Sequence, residues 1–235
     1  MKNGMFKTSL LAGAVAFSGL AMANPSATLA VKGEVSTGTC TAVLTTTNLD
    51  LGNISADSLP TTKSYKVLSN RDAYFNVRCS SPLRIQLSIT DNRSDSAIPA
   101  SEIDSSGTVD GNVLGLGKTV KGENIGGYTL MLNTVYADVG GKTTYMNVLS
   151  KNDAKDENWH IEPDKSSTKI SPLNNTTGLK TKSYMSFAEL GKNTPYPSTG
   201  SEFRFKVNAY ITSGLRTITD QQNIDGNVTF NIDYL

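Results

Sequence analysis

Alternation is the clearest pattern along this chain. Val228, Phe230, Ile232 and Tyr234 share one face of an extended segment, and Asn227, Thr229, Asn231 and Asp233 share the other. A period of two with aromatic and β-branched residues on one side predicts a half-buried strand that runs to the last residues. The same alternation sets Leu83, Ile85, Leu87 and Ile89 against Arg84, Gln86, Ser88 and Thr90. It also sets Phe203, Phe205, Val207, Ala209 and Ile211 against Glu202, Arg204, Lys206, Asn208 and Tyr210. Leu29, Val31 and Val35 form one more face around Gly33, and residues 128–135 read as strand too. Clusters of Gly, Pro, Asn, Asp and Ser separate these runs and supply turn chemistry. No helical stripe of three turns is present; 145–153 and 186–190 are the candidates for a turn or two of helix. Many short strands joined by polar turns predict an all-β, antiparallel β-sandwich.

Two stretches exceed a minimal sandwich. Residues 92–124 are rich in Ser, Asp and Gly, and residues 150–182 are polar and hold the only tryptophan, Trp159, and the only histidine, His160. Both read as insertions, either long surface loops or an added hairpin, and loops of this length are commonly functional or disordered.

The first 23 residues predict export. Lys2 and Lys7 precede an uncharged apolar run that ends in Ala21-Met22-Ala23, the pattern of a secretory signal peptide cut before Asn24. The run is short of the roughly 20 apolar residues of a membrane anchor. Residues 24–235 then form a single domain with insertions near 92–124 and 150–182, and no later segment is apolar enough to span a bilayer. Removing Lys2 and Lys7 takes the formal charge from +1 to −1. That balance, with no basic run, argues against nucleic acid as a partner.

Cys40 and Cys79 are the only cysteines. An even pair in an exported chain reads as a disulfide. It would close a loop of about 40 residues, worth about 4 kcal/mol in the chain-entropy model. Each cysteine ends a strand-like run, so the bridge is expected to clip two strands together.

Tests for chemistry return nothing. Gly115-Leu116-Gly117-Lys118-Thr119 resembles the end of a phosphate-binding loop, but Asn112 stands where the leading glycine belongs. His160 lies among Asp, Glu and Lys with no nucleophile–base constellation around it. A zinc site of Cys and His is excluded by count once both cysteines are bridged. Asp153, Asp156, Glu157, Glu162 and Asp164 form an acidic cluster without EF-hand spacing, read as a solvated loop. The expectation is a non-enzymatic protein without metal or cofactor.

The assembled features are an export signal, Lys32-Gly33-Glu34-Val35 before Cys40, a second cysteine about 40 residues on, and a terminal alternating strand with penultimate Tyr234. Together they resemble a chaperone–usher pilus subunit of Gram-negative bacteria. The chain is similar, more closely, to an enterobacterial group of exported fimbrial-like proteins, through Gly115-Leu116-Gly117, Ile125-Gly126-Gly127-Tyr128, Ile224-Asp225-Gly226-Asn227-Val228-Thr229 and the Tyr234-Leu235 end. The resemblance implies an immunoglobulin-like (pilin-type) sandwich that lacks its seventh strand. It implies a groove lined by Val228, Phe230, Ile232 and Tyr234, filled by a periplasmic chaperone during export and then by a neighbouring pilus subunit at the usher, a strand addition. The localisation implied is the periplasm and then a cell-surface fimbrium with a role in adhesion. A complete, self-sufficient sandwich is the competing arrangement. Gln222 stands where pilins usually carry glycine, and only residues 24–28 precede the first strand-like run. Either 29–35 is itself the donor strand or the chain donates none. Two other functions stay open. One is a carbohydrate-binding adhesin that meets its receptor through the long loops with Tyr145, Trp159 and Tyr196. The other is a monomeric periplasmic regulatory protein, after a member of the similar group linked to glutamate synthase genes.

Overall fold

The computed structural model describes residues 38–45, 48–103, 108–163, 168–174 and 181–235. The signal-peptide run 1–23 and the strand-like run 29–35 lie outside the described residues. The strands are β1 (Cys40–Leu44), β2 (Tyr65–Leu83), β3 (Ile85–Asp91), β4 (Leu114–Gly115), β5 (Gly126–Val139), β6 (Lys142–Lys151), β7 (His160–Ile161), β8 (Thr168–Lys169), β9 (Tyr184–Ala188), β10 (Ser198–Ile211) and β11 (Val228–Tyr234). Short 3-10 turns are the only helical pieces among the described residues, and no helix there is long and apolar enough to cross a membrane.

Alternating side chains place these strands in one antiparallel arrangement ordered β1-β2-β10-β5-β6-β9-β3-β11, with β4 and β8 beside β5 and β7 beside β6. The sheet turns at β6, whose residues 142–146 pair with β5 while 147–151 pair with β9. Because of that division the sheet curls on itself. Phe75 of β2 stacks on Phe230 of β11 with ring centroids 5.0 Å apart, and Phe187 of β9 meets Phe203 of β10 edge-on at 5.8 Å. The inward faces named by the alternation form the core: Leu87, Ile89, Phe203, Phe205 and Val207 are buried together with Leu132, Val135 and Met146. One irregularity bends β2 against β10. The pairing shifts between Val207 and Ala209, and Asn70 takes a positive φ of 50° while its N–H donates to Asn208 Oδ1 at 2.8 Å, the geometry of a bulge.

The structure corrects three local expectations. Residues 145–151 and 186–188 are strand, in β6 and β9, because their pairing with neighbours outweighs weak local propensity. Cys40 opens β1 instead of ending a strand, and Cys79 lies inside the long β2. Finally, the described parts of both insertions pack back on the sheet. Ile98, Ile103 and Val113 form a small core over Tyr210 of β10, and Trp159 does the same over Leu149 and Ala188. Ile98, Ile103, Val113 and Trp159 thus anchor the described parts of 92–124 and 150–182 on the sheet.

Cys40 and Cys79 stand directly opposite each other in the β1–β2 ladder and are joined by a disulfide, with Cα atoms 3.9 Å apart. The bridge joins two strands, as expected of the cysteine pair, though the strand at Cys40 is the one that follows it.

Candidate functional site

The terminal strand is anchored along one flank. Each residue from Val228 to Tyr234 is in register with β3, from Val228 opposite Asp91 to Tyr234 opposite Ile85. Side chains reinforce the ladder: Gln86 Nε2 donates to Asp233 Oδ2 at 3.2 Å and Asn231 Nδ2 donates to Thr90 Oγ1 at 3.1 Å. Among the described residues no strand lies along the other flank of β11. Of the four inward side chains, Phe230 is only 5% exposed, held between the rings of Phe75 and Phe205, whereas Val228, Ile232 and Tyr234 are half-buried. Phe230 therefore already has its cover from within the described chain, while its neighbours on that face are incompletely covered.

The motif residues of the sequence converge just before β11 and set its path. Leu116 carbonyl accepts from Asp225 N–H at 2.9 Å, and Gly226 passes so close that a Cβ there would lie 2.8 Å from Leu116 Cδ2. Gly115 pairs with Gly127 across β4 and β5, and a side chain on Gly115 would collide with the Arg93 carbonyl. Arg93 binds the Asp225 carboxylate, and Asn92 Nδ2 donates to Asn227 Oδ1 at 2.6 Å and to Thr229 Oγ1 at 2.9 Å. The centre of this node is Asp91, 1% exposed, whose carboxylate accepts from the N–H groups of Gly115 and Arg93, each at 2.9 Å. Burial raises the Asp91 carboxyl above its ordinary range, and the two N–H donors oppose that rise. Burial likewise holds the Tyr128 phenol well above the usual tyrosine range, with the Asp91 charge adding to it. Gly115-Leu116-Gly117 is thus a backbone cradle. Gly117 N–H donates to Ser96 Oγ at 2.9 Å, so no phosphate loop forms.

At its other end β11 reaches the opposite edge of the sheet. Cys40 N–H donates to Tyr234 Oη at 3.0 Å, which ties the last strand to the first beside the disulfide. Among the described residues β1 pairs with β2 alone, and its Val43 is 61% exposed. The two strands that end the sheet order touch at this point, each paired on one flank. Alternation in the sequence revealed the inward residues of β11. The Asp91 node escaped it, since its members are scattered over more than 130 positions and only their glycine motifs stand out.

The other candidate residues are dispersed. His160 is exposed on β7. Glu162 leaves the acidic cluster for the interior, where Ser150 and Thr168 hydroxyls and Lys182 Nζ all reach its carboxylate. Asp164 lies outside the described residues. Trp159 is 9% exposed and lies under Lys151, whose Nζ is 4.7 Å from its ring centroid. Its ring is closed to a ligand. No group of three or more His, Cys, Asp or Glu side chains among the described residues is placed to hold a metal ion.

Residues 29–129 match the model of a family described as a protein of unknown function, DUF1120. Over nearly its whole length the chain is similar to two proteins of Escherichia coli (strain K12). It is 26% identical to "Protein GltF", covering 94% of this chain and 92% of that protein, and 24% identical to "Uncharacterized protein YhcF", covering 96% and 98%. No solved structure matches. The family match takes in both cysteines and the Gly115 to Gly127 half of the node.

Proposed function

We propose that this protein is a non-enzymatic, exported fimbrial-like subunit whose terminal strand accepts an added strand from another chain. In this reading the fold is a pilin-type, immunoglobulin-like sandwich with an incomplete edge. A periplasmic chaperone occupies that edge before an usher passes it to a neighbouring subunit on the cell-surface fimbrium. The observation that carries the reading is β11, anchored to β3 on one flank, free of any described strand on the other, and half-exposing Val228, Ile232 and Tyr234. An apolar edge of this kind is a template for pairing. An added strand would satisfy its N–H and C=O groups and cover alternate side chains. The Cys40–Cys79 bridge and the signal-like start support passage through an oxidising compartment.

The test is expression of the full chain in a bacterial periplasm with and without a chaperone of the chaperone–usher class. The expected result is degradation alone and a stable one-to-one complex together, with slowed amide exchange along the outer flank of β11 in the complex. A soluble monomer that unfolds cooperatively, with those amides protected in the absence of any partner, removes the proposal.

A further inference from the structure

The two ends of the long strands carry features that fit each other. β2, β10 and β5 run side by side, so Tyr65, Ile211 and Gly126 lie at one end of the sheet and Leu83, Ser198 and Val139 at the other. The 14 residues of β5 separate these ends by about 45 Å. Beyond the first end, the chain leading into β5 turns through Thr119-Val120-Lys121-Gly122, inside the Lys118–Asn124 bridge. Val120 at its tip is 87% exposed, more than any other large apolar side chain among the described residues. The turn that carries it is fixed. Thr119 N–H donates to the Glu123 carbonyl at 2.8 Å, and Gly122, at a φ of 86°, donates its N–H to the Thr119 carbonyl at 2.9 Å. The buried Thr119 hydroxyl accepts from the Lys121 and Glu123 N–H groups, and Gln222 Oε1 accepts from Val120 N–H at 3.1 Å. With the valine already held in one place, a contact that buries it loses little conformational freedom.

The far end holds a recess. A cleft of about 270 Å³ opens between Pro82, Tyr196, Pro197 and the Gly140-Gly141 turn, with Asp138 and Thr199 on its wall. The apolar side is pinned, because Tyr196 N–H donates to the Phe187 carbonyl and Arg84 Nε to the Pro195 carbonyl, each at 2.9 Å. Neither glycine carries a side chain to close the recess. Charge is matched as well: exposed Lys121 and Glu123 flank the Val120 tip, and the Asp138–Arg78 ion pair stands at the cleft.

We infer that the Val120 tip of one copy docks in the Pro82–Tyr196–Pro197 cleft of a second copy, so that chains join head to tail. Lys121 then meets Asp138, and Glu123 meets Arg78, which fixes the orientation of the pair. Tip and cleft lie at opposite ends of one chain, so the contact is heterologous and every copy added offers a fresh tip or a fresh cleft. Such a contact extends a row instead of closing at two. It is small and weak on its own, with a dissociation constant of about 1 mM. The inference goes beyond strand addition at β11, uses no residue of that strand, and holds for the chain with or without an added strand.

The test is sedimentation of the full exported chain, refolded from denaturant with its disulfide intact, at concentrations rising to about 1 mM. The wild type should pass from monomer through dimer to longer species. Val120→Glu, which spoils the tip, and Thr199→Trp, which fills the cleft, should each weaken association at least tenfold. Mixed in equal amounts, the two variants should recover a dimer and nothing longer, since one intact tip meets one intact cleft. NMR shifts of the wild type should change with concentration at Val120 and at Tyr196 and Thr199 together, a reading that needs no variant. Four results overturn the inference: a wild type that stays monomeric, shifts at one end alone, a mixture that forms no dimer, or association undiminished in both variants. The last would assign self-association to another surface, such as the outer flank of β11, while strand addition itself is judged separately by the chaperone complex.

Discussion

The two strands that end the sheet order, β1 and β11, are held by different physics. β1 is five residues long, leaves Val43 in water and is fastened covalently to β2 through Cys40–Cys79. β11 is seven residues long, has no covalent tie and depends on the stack of Phe230 with Phe75 and Phe205, the β3 ladder and the Asp91 node. A disulfide acts mainly on the unfolded chain, by removing its freedom, and so it steadies a strand with little core to bury. Packing acts on the folded chain, and among the described residues no strand lies along the outer flank of β11. Under the proposed strand addition the receiving strand must be firm on one side and available on the other, and among the described residues β11 combines a full β3 ladder with no strand on its outer flank.

The largest test of this contrast is Phe230→Ala. Removing a buried ring from an aromatic cluster should cost about 3–5 kcal/mol, seen as a large drop in the denaturation midpoint, with exchange quickening first in β11. A loss below about 1 kcal/mol would show that the stack does not hold the strand. Replacing both cysteines, Cys40→Ala with Cys79→Ala, should cost about 2–4 kcal/mol. Here the amides of β1 should lose protection while those of β3 and β11 keep theirs relative to the global value; equal loss in both edges would erase the distinction. The smallest effect belongs to the one direct link between the edges. Tyr234→Phe leaves the Cys40 N–H without its acceptor and should cost about 1 kcal/mol, with faster exchange confined to the Cys40 amide. Unchanged exchange there would mean that solvent replaces the phenol at no cost.

The node before β11 shows why some features were legible early and others late. Its glycines stand out as motifs, and a phosphate loop was one chemistry they could have served. Their use became clear only from what lies against them: the Arg93 carbonyl at Gly115, Ser96 Oγ at Gly117 and Leu116 at Gly226. Asp91 itself looks like an ordinary turn aspartate at a strand end, and nothing local marks it for burial. The insertions teach the same lesson. Trp159 and Ile98 sit in polar, loop-like stretches, and each is buried because the chain doubles back over a sheet face far away in sequence. In 145–151 and 186–188 a weak local preference yielded to the ladder partners on either side.

Side-chain period, cysteine parity and turn chemistry are local, so the chain alone was enough for its all-β class, the inward faces of β3, β10 and β11, and the Cys40–Cys79 bridge. Which strands became neighbours, where β6 divides the sheet, and which flank of β11 pairs with β3 depended on contacts between distant segments. Those contacts are energies of packing and pairing that exist only once the sheet has curled, and no run of neighbouring residues carries them in advance.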